Sequence, residues 1–409
     1  MRLFAGMFTR ELLRSPSRVL VMILPVVMTL LFNADRAWQA GWPDVSADLS
    51  LKTAIMSPFV GATAAYVTAQ RAQPDLRRFA GTGARSLFVL HAVPLAACLA
   101  HAVAGLLFGS VYPLVTVALS DAPGGPWLGY LPIGLGYMVF AAGVGLAAAT
   151  LVPRGFITPG VVFLALMLLP VAIEPPITGT PDLVPASTGY VWLAVAAALL
   201  AISLGAANKS RDGAGLRRIV AVAPVAGIGL ALALGPVGYL TPLQVEREPV
   251  SPICDPADTV CVWPEHSHHL PELAGSAQRL RVYSDLGLRP ATPLYEFGLD
   301  ASGQGVFTYP PAWFAQYAFA SSSLRDIGLC PEGMSLTDDA ILRRQELLLW
   351  ATRVSAGGPQ PASVKGGPVE VDPAAIDAIH AQPQAEQREW AAQRVAAVRA
   401  GCEVAAGDV

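Results

Sequence analysis

The stretch LRRIVAVAPVAGIGLALALGPVGYLTPLQVEREPVSPICDPADTVC, residues 216–261, decides how this chain is built. Arg217 and Arg218 open it and an apolar run follows over 219–240. It then leaves through Pro242, Glu246, Glu248 and Pro249 to Cys254 and Cys261. A helix rises about 1.5 Å per residue, so roughly 20 apolar residues cover the ~30 Å hydrocarbon layer of a bilayer. Basic residues mark the cytoplasmic end of such a helix, and paired cysteines belong to oxidising compartments. Both cues run the segment from inside to outside. They predict a membrane bundle before it and an exported domain after it.

Composition agrees. Only 14% of the 409 residues are charged and 53% are hydrophobic, where a soluble domain carries about 25% charged residues. The net charge of −3 carries no nucleic-acid footprint. Three lysines against many arginines, with abundant Ala and Gly, point to a GC-rich bacterial genome. Of five cysteines, Cys98 lies in an apolar segment and four follow residue 240. That even number predicts two disulfides.

Working back to the start, residues 1–17 place Leu3, Phe4, Met7, Phe8, Leu12 and Leu13 among Arg2, Arg10 and Arg14, the pattern of an interfacial amphipathic helix. The run 19–32 lacks a small-residue cleavage site and reads as an uncleaved first crossing. Trp38 and Trp42 follow it, expected at headgroup level. A second crossing is expected over 49–69, with Lys52 snorkelling to water from its outer end. The loop after it gathers Arg71, Arg77, Arg78 and Arg85, a cytoplasmic signature, and Pro74 can open a short helix there.

Length alone leaves 86–119 open between one crossing and two. Charge favours one. Thirteen Lys/Arg then fall in the inner tail and loops, against only Arg36 and Lys52 outside. Further crossings are expected over 128–152, 156–173 and 189–206, and the seventh over 216–240. Gly143 and Ala147 offer small residues for close helix contact. The loop 174–188 has ends apolar enough to dip into the membrane. The fold class is therefore an all-α bundle of seven transmembrane helices, N-terminus in and C-terminus out, on residues 18–207 and 216–240. A disulfide-bonded, mainly helical α+β extracytoplasmic domain follows over 241–409.

This order of parts resembles the permease subunit of a type-2 ABC exporter over residues 1–207. The matching pieces are the amphipathic helix at 3–13, the coupling stretch 74–85, the tight turns at 121–127 and 153–155, and the longer loop at 174–188. The segment Val260-Cys-Val-Trp-Pro-Glu265 resembles tails of multi-pass actinobacterial proteins. The seventh helix and the tail are additions to the family pattern. The resemblance implies export of an amphiphilic or hydrophobic substrate across the plasma membrane by two paired bundles, either identical or siblings. A separate ATPase subunit would dock at Arg77, Arg78 and Phe79. The chain has no G-x-x-x-x-G-K-[ST] loop, so ATP would sit on that partner, with no cofactor here and no enzyme activity of its own. The alternatives are a non-transporting scaffold or sensor whose exported domain binds a ligand, and a membrane-anchored hydrolase.

In the tail, 241–251 reads as a Pro-rich linker, 270–288 as an amphipathic helix, and 292–299 with 305–309 as a hairpin. Helices are expected from Ser335 to about Val354 and from Pro383 to near Gly401. Packed antiparallel, they would bring Cys330 to Cys402, leaving Cys254 to pair with Cys261. Glu265, His266, His268, His269 and Glu272 match no zinc-protease spacing and read as a solvated helix start. Were a metal held, His266, His268 and His269 would be its ligands. Ionisable groups inside a membrane are functional candidates, which makes His91 and His101 candidate transport-path residues. Ser321, Ser322 and Ser323 lack a nucleophile-elbow motif.

Overall fold

Small residues set how the helices of the membrane-like part meet. Among the described residues seven helices lie there: α1 (Arg2–Arg14), α2 (Leu20–Ala34), α3 (Trp42–Arg71), α4 (Leu87–Ala118), α5 (Leu131–Leu151), α6 (Ile157–Ala172) and α7 (Thr188–Lys209). The structure is a computed structural model. It describes residues 2–34, 37–71, 87–152, 156–172, 182–209, 243–248, 250–257, 259–290, 292–299, 306–309, 312–332, 334–358 and 371–404. The chain divides into two units, one of residues 1–120 and 125–247, the other of 121–124 and 248–409.

In the first unit the contacts fix helix directions. Gly105 of α4 lies against Leu20 and Leu24 of α2, Gly109 against Pro25 and Met28, and Tyr112 donates to Asn33 at 3.3 Å. Both numberings rise together, so α2 and α4 are parallel. The same reasoning makes α3 and α5 parallel: Ser50 donates to the Tyr130 carbonyl at 3.0 Å, Gly134 faces Thr53, and Gly145 meets Gly61 and Ala65. α5 and α7 are also parallel, through Ile133 on Gly189, Gly136 on Trp192 and Gly143 on Leu200. α6 runs against α3, pairing Phe59 with Phe163 and Tyr66 with Phe156. α2 also runs against α3, since Phe32 near the end of α2 meets Lys52 early in α3, while Glu11, ahead of α2, meets Arg71 at the end of α3, so the helices α2 to α7 alternate in direction.

The tightest approach falls at Gly145, where an added methyl would strike the carbonyl oxygen of Gly61. Gly143, the expected contact, meets Leu200 at an ordinary 3.6 Å. Within the ambiguous stretch 86–119, Leu87–Ala118 is one continuous helix, α4, which passes through Pro94 and Pro113. Among the described residues three segments are long and apolar enough to cross a membrane: Pro16–Ala34, His91–Ala118 and Leu128–Thr150. Two shorter apolar helices, Ile157–Leu168 and Thr188–Leu204, accompany them. They are compatible with a membrane protein. Residues 210–242, which hold the whole expected seventh crossing, lie outside the described residues.

Two loop segments carry short strands. Leu183–Pro185, at the end of the loop expected to dip into the membrane, is strand β1. Gln244–Glu246, in the expected Pro-rich linker, is strand β2. The two pair antiparallel, with Val184 opposite Val245. Gln244 is buried and its amide donates to the Tyr130 hydroxyl at 2.8 Å, so side-chain bonding anchors a strand that composition alone reads as loose.

The second unit holds the four-stranded sheet β3 (Ile253–Cys254), β4 (Val260–Val262), β5 (Leu294–Glu296) and β6 (Val306–Phe307), in that order. It also holds the pair β7 (Met334–Leu336) and β8 (Cys402–Val404). Among the described residues five helices accompany them: α8 (Leu270–Arg281), α9 (Ala312–Ser323), α10 (Asp338–Ala356), α11 (Pro373–His380) and α12 (Gln384–Ala400). Trp263, Trp350, Phe307 and Phe319 are fully buried in its core. β5 and β6 pair in parallel and so are not the expected hairpin.

α10 starts at Asp338, because the Thr337 side chain accepts the Ala340 N–H at 3.3 Å and caps the helix there. α10 and α12 are antiparallel: Gly401 abuts Ala340, Arg394 pairs with Glu346 at 2.7 Å, and Trp350 donates to Gln387 at 3.2 Å. Cys330 and Cys402 are joined, as are Cys254 and Cys261, which face each other across β3 and β4.

Candidate functional site

The first unit carries a buried charge pair on α3. Asp48 and Lys52 sit one helical turn apart and form a salt bridge, their side chains 12% and 5% exposed. The Lys52 ammonium lies 4.3 Å from the centre of the Phe32 ring of α2, a cation–π contact that strengthens when water is excluded. Lys52 thus turns into the bundle instead of snorkelling out. The reason is local, since a carboxylate four residues earlier and an aromatic face opposite give the ammonium partners that bulk water would otherwise supply.

Trp38 is likewise not an interfacial anchor. It is fully buried, donates to the Phe32 carbonyl at 2.8 Å and meets Phe32 and Tyr112 edge-on. Around the same end of the bundle, Ser46 accepts the Trp127 N–H at 2.9 Å, and Ser50, Tyr130 and Gln244 link α3, α5 and β2. A buried ion pair holds only while both members stay, because either charge alone is costly away from water. Chemically, this end of the bundle offers charged and hydrogen-bonding groups in an otherwise apolar scaffold.

The other end holds α1. Arg71, the last residue of α3, places Nη2 2.7 Å from both carboxylate oxygens of Glu11. His101 of α4 bridges to the same segment: Nε2 lies 3.0 Å from the Leu12 carbonyl and Nδ1 2.9 Å from the Ser17 hydroxyl. The carbonyl can only accept, so Nε2 carries the proton, and in the neutral ring Nδ1 accepts from Ser17. The ring therefore ties α4 to the segment between α1 and α2. His91 lies buried elsewhere on α4. Arg77, Arg78 and Phe79 lie outside the described residues.

In the second unit the expected solvated helix start is not solvated at His266. Its ring is fully buried with Nδ1 2.6 Å from Glu296, whose other oxygen accepts the Trp263 N–H at 3.0 Å. Tyr309 packs edge-on to His266. His266 and Glu296 both have zero side-chain exposure, so no substrate reaches them as they stand, and the pair staples the turn Pro264–His269 to β5. The His268 and His269 rings lie 3.9 Å apart, tilted by 43°. Among the described residues no three His, Cys, Asp or Glu side chains form a metal-sized cluster. Ser322 and Ser323 both donate back to the Phe319 carbonyl.

The Asp48–Lys52 pair was missed by one residue. A helix starting at 49 cuts the pair in two, although the four-residue spacing of opposite charges is a recognised helix signal. No protein-family model, no curated protein and no solved structure matches the chain.

Proposed function

We propose that this chain is the membrane-spanning permease subunit of an ATP-driven exporter of the type-2 ABC class, working with a separate ATPase and a second permease bundle. The observation that carries the reading is the alternation of α2 to α7, together with α1 pinned beside the end of α3 through Glu11 and Arg71. This is the order of parts that such a permease needs. On this reading the stretch 74–85, which follows Arg71 in the sequence, is the segment on which the ATPase docks. On this reading the polar end around Asp48, Lys52, Ser50 and Tyr130 faces outward and meets the polar part of an amphiphilic substrate.

The return of the chain supports a seventh crossing. α7 starts beside β1 and runs 22 residues away from it, about 33 Å at 1.5 Å per residue. By Gln244 the chain is back on β1. The sequence between Lys209 and Gln244 contains the apolar run 219–240, long enough for one crossing. The cysteine-bearing domain then follows on the outer side, in the plasma membrane of the cell.

The test is co-purification. The full chain extracted in mild detergent brings down an ATP-hydrolysing subunit, and R77E/R78E releases it while leaving yield unchanged. Retention of the same ATPase by the double variant would remove the docking assignment. Absence of any ATPase from the wild-type preparation would favour the second reading, a scaffold or sensor. What speaks for that reading is a second unit with its own core of Trp263, Trp350, Phe307 and Phe319.

A further inference from the structure

The elbow between α1 and α2 carries a surface that the packing of the bundle leaves open. Pro16, Arg18, Val19, Val21, Met22 and His101 line an open pocket of about 470 Å³ there. Its walls are apolar, and Val19 and Met22 stay exposed. The elbow itself is fixed. Ser15 and Ser17 are buried and bonded to each other at 2.8 Å, and His101 spends both ring nitrogens on Ser17 and Leu12. That leaves the exposed Arg18 guanidinium as the pocket's charged group. One of its nitrogens reaches the Leu13 carbonyl at 3.3 Å.

Charge around the pocket is one-sided. Arg10, Arg14 and Arg18 follow each other at four-residue spacing and all are exposed. Glu11 is the one acid among residues 1–34, and Arg71 already neutralises it. Among the described residues no acid pairs with Arg10, Arg14 or Arg18, so the elbow joins a guanidinium row to an apolar slot, which matches a molecule with an anionic head and an aliphatic tail. A free anion would use the guanidinium and leave the slot unfilled.

We infer that this pocket holds an anionic phospholipid, its phosphate on Arg18 with Arg14 alongside, and its acyl chain along Val19, Val21 and Met22. The site needs only that α1 lies at a membrane surface. It stands whether or not the bundle transports anything.

The full chain, purified in detergent, is incubated with phosphatidylglycerol, phosphatidylcholine or inorganic phosphate, and retained lipid is counted by native mass spectrometry. Phosphatidylglycerol is expected to be retained over phosphatidylcholine. Arg18→Ala lowers its affinity about fivefold, the effect of one cation at an anionic surface, while Arg18→Lys stays near wild type and guards against a loss through misfolding. Equal retention of the two lipids, an unchanged affinity in Arg18→Ala, or an equal loss in Arg18→Lys each overturns the proposal. Displacement of the lipid by millimolar inorganic phosphate would assign the pocket to a free anion and overturn the lipid.

Discussion

Val184 and Val245 stand directly opposite each other in an antiparallel ladder, although α7 and the whole apolar run 219–240 separate them in sequence. The ladder ties the chain after that run to the chain before α7. Backbone bonds extend it on both sides, from Ala186 N–H to Leu243 O at 2.9 Å and from Arg247 N–H to Asp182 O at 2.6 Å.

If the ladder forms in the membrane, Val184→Cys with Val245→Cys should cross-link under mild oxidation, and each single variant should not. The readout is a reducible mobility shift after cleavage between the two positions. An outside-only oxidant should suffice if this end faces outward. Cross-linking only with a membrane-permeant oxidant would reverse the sidedness on which the exporter reading rests.

Lys52→Ala should destabilise the bundle by about 3–5 kcal/mol, because it strands the Asp48 carboxylate in a site largely closed to water. Replacing both members with apolar residues, Asp48→Leu with Lys52→Met, should recover most of that loss. Thermal unfolding of the three proteins in one detergent decides it. Equal losses in the single and double variants would mean that the pair is solvated.

The two disulfides should differ in weight. Cys254 and Cys261 are 7 residues apart, Cys330 and Cys402 are 72 apart. The chain-entropy model assigns about 2 kcal/mol to the short loop and about 4 kcal/mol to the long one. Cys402→Ala paired with Cys330→Ala should therefore lower the denaturation midpoint of the full chain's second unit more than the Cys254/Cys261 double replacement. The reverse order would show that the ladder between β3 and β4 depends on its bridge for more than chain entropy.

What the sequence revealed and what it hid follow one physical divide. Helix limits in the apolar part were legible within a few residues, because long apolar runs bounded by Arg, Gly and Pro have few alternatives, except at α3, whose polar first two turns start it at Trp42, seven residues before the expected 49. The antiparallel relation of α10 and α12 was legible because Cys330 and Cys402 sit at ends that such packing brings together. Partners set by tertiary contact were not legible. Nothing near Lys52 in sequence announces that Phe32 will cover it, and nothing near Gln244 announces the Tyr130 hydroxyl. The parallel pairing of β5 and β6 was hidden for the same reason: alternation signals a strand, and direction comes from neighbours. His266 read as exposed because its run is polar, and only the fold brings Glu296 beneath it.

The last prediction concerns acid. Burial would push the Asp255 carboxyl up, yet it is held below the usual carboxylate range. Its carboxylate accepts from the N–H groups of Val260, Thr259 and Ala257 and from the Thr259 hydroxyl, at 2.6–3.2 Å, and these bonds favour the charged form. The folded state then binds fewer protons than the unfolded chain between the depressed value and about 3.9, the ordinary aspartate value. In that window stability rises with pH. The contribution is complete above about 3.9 and is lost as pH falls through the folded value. Asp255→Asn, which cannot ionise, should be less stable than wild type at neutral pH by about 1–3 kcal/mol, and the gap should close on acidification. Urea titrations of the second unit's tryptophan fluorescence at several pH values read both curves. A gap that stays constant down to pH 2 would show that the four donors do not bind the charged form preferentially.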